Sequence, residues 1–203
     1  MIAWRPILKK LFLHLPLLIA GVLTLAASAH AADALHGVAT AGLTYGGDDW
    51  QVATSAKGEP VRIHGGGRFE AGGGLAWQAE QMPVMASLLA NVQYDPRAGS
   101  NASAKFTRVP IDAMVYYTGM RSLRFGVGLS YILSPTVKAT VDGTERTIKM
   151  KNATGKSFEV GYEIAPNTWA NLRLSSEKYK PKSAGAAQEA SVSHLAVNLS
   201  YLF

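Results

Sequence analysis

From residue 39 onward the chain is built on alternation. Leu195, Val197, Leu199, Tyr201 and Phe203 fall on one side of an extended backbone, and His194, Ala196, Asn198, Ser200 and Leu202 fall on the other. A period of two is the mark of a strand with two unlike faces. The same pattern recurs at 39–45, 69–78, 84–94, 110–117, 123–131, 157–164 and, more weakly, 170–175. With the C-terminal run this makes eight predicted strands. No sustained helical period appears, and no run of 18 apolar residues lies beyond the first thirty.

The connections alternate as well. Glu80-Gln81-Met82-Pro83, Thr118-Gly119-Met120-Arg121 and Ala165-Pro166-Asn167 carry the Gly, Pro and Asn chemistry of tight turns. Between them lie long polar stretches at 47–61, 95–105, 135–154 and 181–189. In an antiparallel meander this places every turn at one end and every loop at the other. Transmembrane barrels are organised in that way, with short periplasmic turns and longer external loops.

Charge decides which face meets lipid. One face carries Arg68, Glu70, Asp112, Arg124, Glu159, Glu163 and Arg173, whereas the other is aliphatic and aromatic. A base exposed to mid-membrane costs about 2–4 kcal/mol. Four acids can offset three bases in a lumen that, at eight strands, is just wide enough for side chains to fill. The expectation is a charge-paired polar network plugging the lumen. A soluble barrel would invert the faces. Against that, Trp77 and Tyr117 end strands beside short turns, and Tyr45, Tyr94 and Tyr131 end strands beside long loops. These are the two aromatic girdles of a membrane barrel.

The N-terminal segment reads as an address. Arg5, Lys9 and Lys10 precede an apolar stretch from Leu11 to Leu25, and Ala29-His30-Ala31 supplies a small-residue cleavage site. The predicted organisation is a cleaved signal peptide over 1–31 and an outer-membrane β-barrel domain over 32–203. The fold class expected is all-β: an eight-stranded antiparallel up-and-down transmembrane β-barrel.

Composition narrows the chemistry. There is no Cys, which excludes a disulfide scaffold, a thiolate zinc site, a thiol nucleophile and a lipoprotein anchor. The net charge of +6 falls short of a nucleic-acid footprint, and none is expected as a partner. Six of the twenty glycines cluster at 65–67 and 72–74 without the Lys of a phosphate loop. In a strand they relieve crowding or permit curvature.

On these residues the chain resembles a family. The ending Leu195-Ala-Val-Asn-Leu-Ser-Tyr-Leu-Phe203 resembles the C-terminal signal read by the barrel insertion machinery, with Leu195, Val197, Leu199, Tyr201 and Phe203 as its elements. Residues 35–203 are similar to small eight-stranded outer-membrane proteins of the OmpX, opacity-protein and OmpA-barrel type. Arg108-Val-Pro-Ile-Asp112 with Tyr116-Tyr117 resembles the fourth strand of such barrels. The resemblance implies the cell outer membrane; no cofactor is expected, and a monomer is expected although the residues do not fix the oligomeric state. Its members include adhesins, narrow pores, structural anchors and lipid-modifying enzymes.

No catalytic or metal site is expected. His194 can be drawn with Ser175 and Glu177 as a Ser-His-acid set, but a lumen of this width admits no substrate. The run His194-Leu-Ala-Val-Asn198 departs from the His-x-Ser-Asn pattern of lipid A deacylases. His64 lacks the companions expected of a palmitoyl-transferring barrel, and His36 is isolated.

The lysines carry the functional signal. After residue 31 they are Lys57, Lys105, Lys138, Lys149, Lys151, Lys156, Lys178, Lys180 and Lys182, all in or beside the predicted external loops. The expected polyanion contacts are Lys138, Arg146, Lys149, Lys151, Lys156, Lys178, Lys180 and Lys182. Lipopolysaccharide, whose phosphates crowd the outer leaflet, is the expected partner alongside membrane lipid, with cell-surface partners beside it. A structural or binding barrel is therefore expected rather than an enzyme, the alternatives being a narrow pore or a lipid A-modifying enzyme. Two finer expectations follow. Asp142-Gly143 predicts a protruding two-stranded arm formed by strands five and six, removable by deleting 138–150. Arginine at Leu199 is expected to be far more damaging than arginine at Ser200.

Overall fold

The computed structural model describes residues 35–47, 49–54, 60–64, 68–98, 102–141, 143–180 and 190–203. Among them eleven strands follow one another: β1 (Leu35–Gly46), β2 (Asp49–Thr54), β3 (Pro60–His64), β4 (Phe69–Gln78), β5 (Val84–Ala98), β6 (Ala102–Met120), β7 (Leu123–Val141), β8 (Thr144–Lys149), β9 (Ala153–Ala165), β10 (Thr168–Tyr179) and β11 (Ala190–Leu202). The predicted signal segment 1–31 lies outside the described residues.

Eight of these strands close a ring in the order β6-β5-β4-β1-β11-β10-β9-β7, and pairing of β6 with β7 completes it. They are the eight that alternation predicts. The first and last strands meet in antiparallel register from Val38↔Leu202 to Gly46↔His194. Gly37 and Phe203 exchange backbone hydrogen bonds of 2.8 and 2.9 Å at the end of this seam. Closure leaves no free edge among the ring strands, as a membrane requires of backbone polar groups.

Alternation becomes an inside and an outside. On β6, Asp112, Met114 and Tyr116 point inward and are buried, while Ala113, Val115 and Tyr117 are exposed. On β7, Val127 and Leu129 are 61% and 69% exposed, whereas Arg124 is 3% exposed. A water-soluble barrel would show the reverse. Small residues let the wall close tightly. A Cβ on Gly74 would stand 2.0 Å from the Leu88 carbonyl oxygen, so only glycine permits the approach of β4 to β5 there.

Three tight connections lie at one end, at 79–83, 121–122 and 166–167. One differs from expectation. The turn expected at Thr118–Arg121 falls at Arg121–Ser122, because an irregularity after Tyr117 lets Met120 pair with Leu123. Ser122 and Asn167 take the positive φ that these short reversals need, 59° and 60°.

The opposite end is more ordered than predicted. Segments 95–105 and 135–154, expected as loops, are mostly strand. Beyond a bulge between Thr107 and Val109, β6 and β7 stay paired from Thr107↔Thr136 to Ala102↔Val141. β5 continues beside them to Ala98↔Ser103, and β8 adds to the other edge of β7. The predicted two-stranded arm is therefore corrected to a four-stranded extension, β5-β6-β7-β8. Alternation had already run through these residues, but the turn-prone Asp-Gly and the polar side chains disguised it. β8 does not continue into β9, since Met150–Asn152 separates them. Gly143 has φ +79°, and its neighbour Asp142 lies outside the described residues. Within the predicted loop 47–61, β2 begins a separate pair with β3. The predicted loop 181–189 lies outside the described residues.

The interior is stratified. Near the tight turns Val38, Ala76, Met85, Leu89, Met114 and Tyr116 form an apolar cluster. At the long-strand end Ala104, Phe106, Val137 and Ala139 form a second, and Ile132, Ala153, Tyr179 and Val192 a third, with Met150 against both. Polar side chains share the turn half with the first cluster, where Arg124, Glu159 and Arg173 line one void together with Val38, Met85 and Tyr116.

Candidate functional site

Arg173 on β10 is the hub of the interior. Its Nε donates to Glu159 Oε2 at 2.7 Å, and its Nη1 donates to Asp112 Oδ2 at 3.0 Å. Asn91 Nδ2 reaches the same Asp112 oxygen at 3.1 Å, and the Tyr116 hydroxyl donates to Glu159 Oε1 at 3.0 Å. Arg124 forms the next node. Its Nη2 donates to Asn171 Oδ1 at 2.8 Å and Ser200 Oγ at 2.9 Å, and its guanidinium carbon lies 4.7 Å from the Tyr116 ring centre and 4.6 Å from that of Trp169. Asn171 Nδ2 donates in turn to Asn198 Oδ1 at 2.8 Å.

A second cluster sits toward the extension. Arg108, with no exposed surface, bonds Gln93, Glu177 and Tyr179. Gln93 Nε2 donates to Glu70 Oε2 at 2.9 Å. His194 Nε2 lies 4.0 Å from Glu177 Oε1. Ser175 is the cross-strand partner of His194, but its hydroxyl pairs with that of Ser157 at 2.9 Å, and His194 Nδ1 has no hydrogen-bond partner. The three residues of the Ser-His-acid set are thus buried neighbours, but Ser175 bonds Ser157 rather than His194.

Of the predicted lumen residues, Glu70, Asp112, Arg124, Glu159 and Arg173 are buried. Glu163 stands apart, half-buried at the turn end, where its carboxylate accepts the Asn167 N–H at 3.3 Å. Arg68 requires a correction. It precedes the first rung of β4, is exposed, and lays its guanidinium over the Phe69 ring at 5.5 Å. Sequence reasoning missed Arg108, Gln93, Glu177 and Tyr179 as members of one cluster. Arg108 has the same parity as Asp112, and Glu177 the same parity as Arg173, so extending each strand by two to four residues would have found both.

A void of about 10 Å³ is lined by Arg124, Glu159, Arg173, Asn198 and neighbours, roughly the room for one water molecule.

The exterior of the extension gathers the basic residues. Lys105 on β6 and Lys138 on β7 are direct cross-strand partners and both are exposed. Thr136, one position along the same face, pairs with Lys149 on β8. Ser103↔Thr140 and Thr107↔Thr136 flank the lysine pair with hydroxyls. Like charges directly opposite repel. Lys138 finds Glu145 at 3.6 Å, an exposed pair that water screens. A concavity of about 510 Å³ opens here beside Tyr94, Lys105, Lys138 and Thr140.

The other candidates distribute unevenly. Arg146 pairs with Ala139, an inward position, so it lies on the opposite face from Lys138 and Lys149. Lys156 on β9 and Lys178 on β10 are exposed, as are Lys151 just before β9 and Lys180 just after β10, where the Lys151 N–H donates to the Lys180 carbonyl at 3.0 Å. Lys182 lies outside the described residues, as do Gly65–Gly67. Lys105 was not among the predicted contacts, although it shares a strand and a face with Thr107. The C-terminal elements Val197, Leu199, Tyr201 and Phe203 all face outward and are about half exposed or more, and Leu195 shares their face half-buried. The Tyr201 and Phe203 rings stack 6.3 Å apart.

Comparison with known proteins agrees with this geometry. The model of the outer membrane protein beta-barrel domain family matches residues 17–203. Neisserial surface protein A is similar in structure at 11% identity and a TM-score of 0.51, covering 83% of this chain and 97% of that one. The attachment invasion locus protein Ail of Yersinia pestis, solved with the heparin analogue sucrose octasulfate, is similar at 10% identity and a TM-score of 0.51, covering 83% and 99%. A search of curated proteins finds no match.

Proposed function

This chain belongs to the outer membrane protein beta-barrel domain family and resides in the outer membrane, and from that premise we propose that it is a binding barrel with an occluded lumen, whose basic external face contacts lipopolysaccharide. The observation that carries the reading is the placement of Lys105, Lys138 and Lys149 on one face of the extension, framed by Ser103, Thr107, Thr136 and Thr140. Cations and hydroxyls in register match the phosphates and sugars of a surface polyanion. A directly opposed lysine pair is relieved when an anion bridges it. The sucrose octasulfate bound to Ail gives a polyanion on a barrel of this fold, which supports the same reading. The lumen contributes stability rather than passage on this reading, because its polar side chains bond one another and apolar clusters pack beside them and toward the extension.

The test is binding of deacylated, phosphorylated lipopolysaccharide carbohydrate to the refolded barrel. The Lys105→Gln, Lys138→Gln, Lys149→Gln triple variant should bind at least about tenfold more weakly, equivalent to 1.4 kcal/mol. Native binding should fall as salt is raised, because exposed charges are screened within about 8 Å at physiological ionic strength. Unchanged, salt-insensitive binding by the triple variant refutes the proposal.

A further inference from the structure

The outward face of β7, β9, β10, β11 and β1 carries two unlike rows. The lower row is Val127, Phe158, Leu174, Leu195 and Tyr45, joined rung by rung in the strand registers. The upper row, two residues nearer the extension, is Leu129, Lys156, Ser176 and Ser193. Between them runs the inward row Gly128, Ser157, Ser175, His194 and Gly46, which presents only wall to the outside. Because Ser176 and Ser193 are short, the upper row does not fill the surface as the lower one does. A groove of about 700 Å³ results, with a mostly apolar lining and Lys156 at its upper margin.

Elsewhere a polar row on a lipid-facing wall would be a defect. Here it lies at the loop end, beside Tyr45, which marks the upper boundary of the apolar band. A long lysine stem lies along apolar surface while its ammonium reaches the interface. An apolar trough capped by one cation and two hydroxyls complements an amphiphile with an acyl chain and an anionic head. A neutral head offers the ammonium no counter-charge, and a zwitterionic head offers a phosphate already balanced by its own cation, so a net-anionic phosphomonoester is the stronger partner. The loop end faces the outer leaflet, whose acylated anion is the lipid A portion of lipopolysaccharide.

We propose that this groove is a lipid A site, with one acyl chain along Phe158, Leu174 and Leu195 and a phosphate held by Lys156, Ser176 and Ser193. The proposal rests on the outer-membrane setting and deepens the lipopolysaccharide reading, but it uses none of the β6–β8 lysines. The two therefore fail separately. Deacylated carbohydrate tests the extension, and acylated lipid A tests the groove.

The experiment uses the refolded barrel in detergent micelles and follows its heat-modifiable unfolding midpoint with added lipid. Bisphosphorylated lipid A should raise the midpoint, whereas dephosphorylated lipid A and phosphatidylcholine should leave it nearly unchanged. Lys156→Gln should weaken the apparent affinity for bisphosphorylated lipid A about tenfold. Ser193→Ala should weaken it less, and Lys156→Arg should restore it. The triple extension variant should respond like the native protein. If phosphate-free lipid A stabilises equally, or if Lys156→Gln responds as the native protein does, the groove holds ordinary annular lipid only and the proposal falls. Failure of Lys156→Arg to restore the response would also overturn it, since the charge would then not be the determinant.

Discussion

Across the barrel interior, Arg173 on β10 donates to Glu159 on the neighbouring β9 at 2.7 Å while also holding Asp112 on the far side of the lumen at 3.0 Å. One guanidinium thereby ties strands that are not adjacent in the ring. Its planar fork suits this task, since it presents several donors in fixed directions. The same carboxylates are bonded by Asn91 and Tyr116, so each charge is compensated by more than its ion pair. A buried pair breaks even only under such conditions.

Arg173→Met should therefore be strongly destabilising. It leaves Glu159 and Asp112 buried without their principal cation, and breaking a buried pair by removing one partner costs about 3–5 kcal/mol. Urea unfolding of the inserted barrel in lipid vesicles measures this. A loss below 1 kcal/mol would show that the hub is dispensable. Adding Glu159→Gln to Arg173→Met should recover part of the loss, because one of the orphaned charges is then gone.

The native barrel should give no stable conductance steps in planar bilayers. On the proposed occluded reading, Phe106, Ile132, Val137 and Val192, which have essentially no exposed surface, form a seal at the extension end. The Phe106→Ala, Val137→Ala double variant removes part of that seal, yet Arg108 beneath it remains buried among Gln93, Glu177 and Tyr179. Conductance should stay absent in this variant as well. Discrete steps in the native protein would overturn the occluded reading outright.

Period-two alternation made the ring legible because burying one face and wetting the other with lipid constrains every second residue. The lumen charges were legible by the same parity, as Asp112, Glu159 and Arg173 show. Arg68 misled because parity says nothing about where a strand begins, and it stands one residue before β4. The extension was hidden for a related reason. Segments such as 102–105 have one face in water rather than lipid, so Lys105 reads as loop. Partnerships between strands distant in sequence, such as Arg108 with Glu177, depend on ring register, which no local pattern encodes.

Leu199→Arg should block stable insertion. Leu199 faces outward in the apolar band, 52% exposed, where an arginine costs about 2–4 kcal/mol. Ser200 is a less permissive control than alternation suggests. Its hydroxyl accepts from Arg124 at 2.9 Å and Asn171 at 3.0 Å, and it is 5% exposed. Ser200→Arg would press a second guanidinium against Arg124 in filled space. The two variants should be damaged in different ways, Leu199→Arg in yield of heat-modifiable barrel and Ser200→Arg in urea stability after insertion. Leu199→Phe, which preserves the lipid-facing apolar surface, should insert normally. Normal insertion of Leu199→Arg would show the phase assignment to be wrong.

Deleting 138–150 was the expected way to isolate the external arm, and the strand registers change what it should do. Residues 136–141 of β7 pair with β6 on one side and β8 on the other. The deletion takes residues 138–141, which strips the partner from residues 102–105 of β6 and removes Ala139 from the cluster that buries Ala104 and Phe106, which are 3% and 1% exposed in the intact protein. An unpaired strand with an apolar face templates further pairing. The deletion variant should still insert, because the ring below Thr107 keeps all its pairings. It should, however, self-associate in detergent, as light scattering or sedimentation would show. The Lys105→Gln, Lys138→Gln, Lys149→Gln variant should remain monodisperse, since it changes only exposed side chains on a paired sheet. A monodisperse deletion variant would mean that the outer part of β7 does not cover the β6 edge in solution.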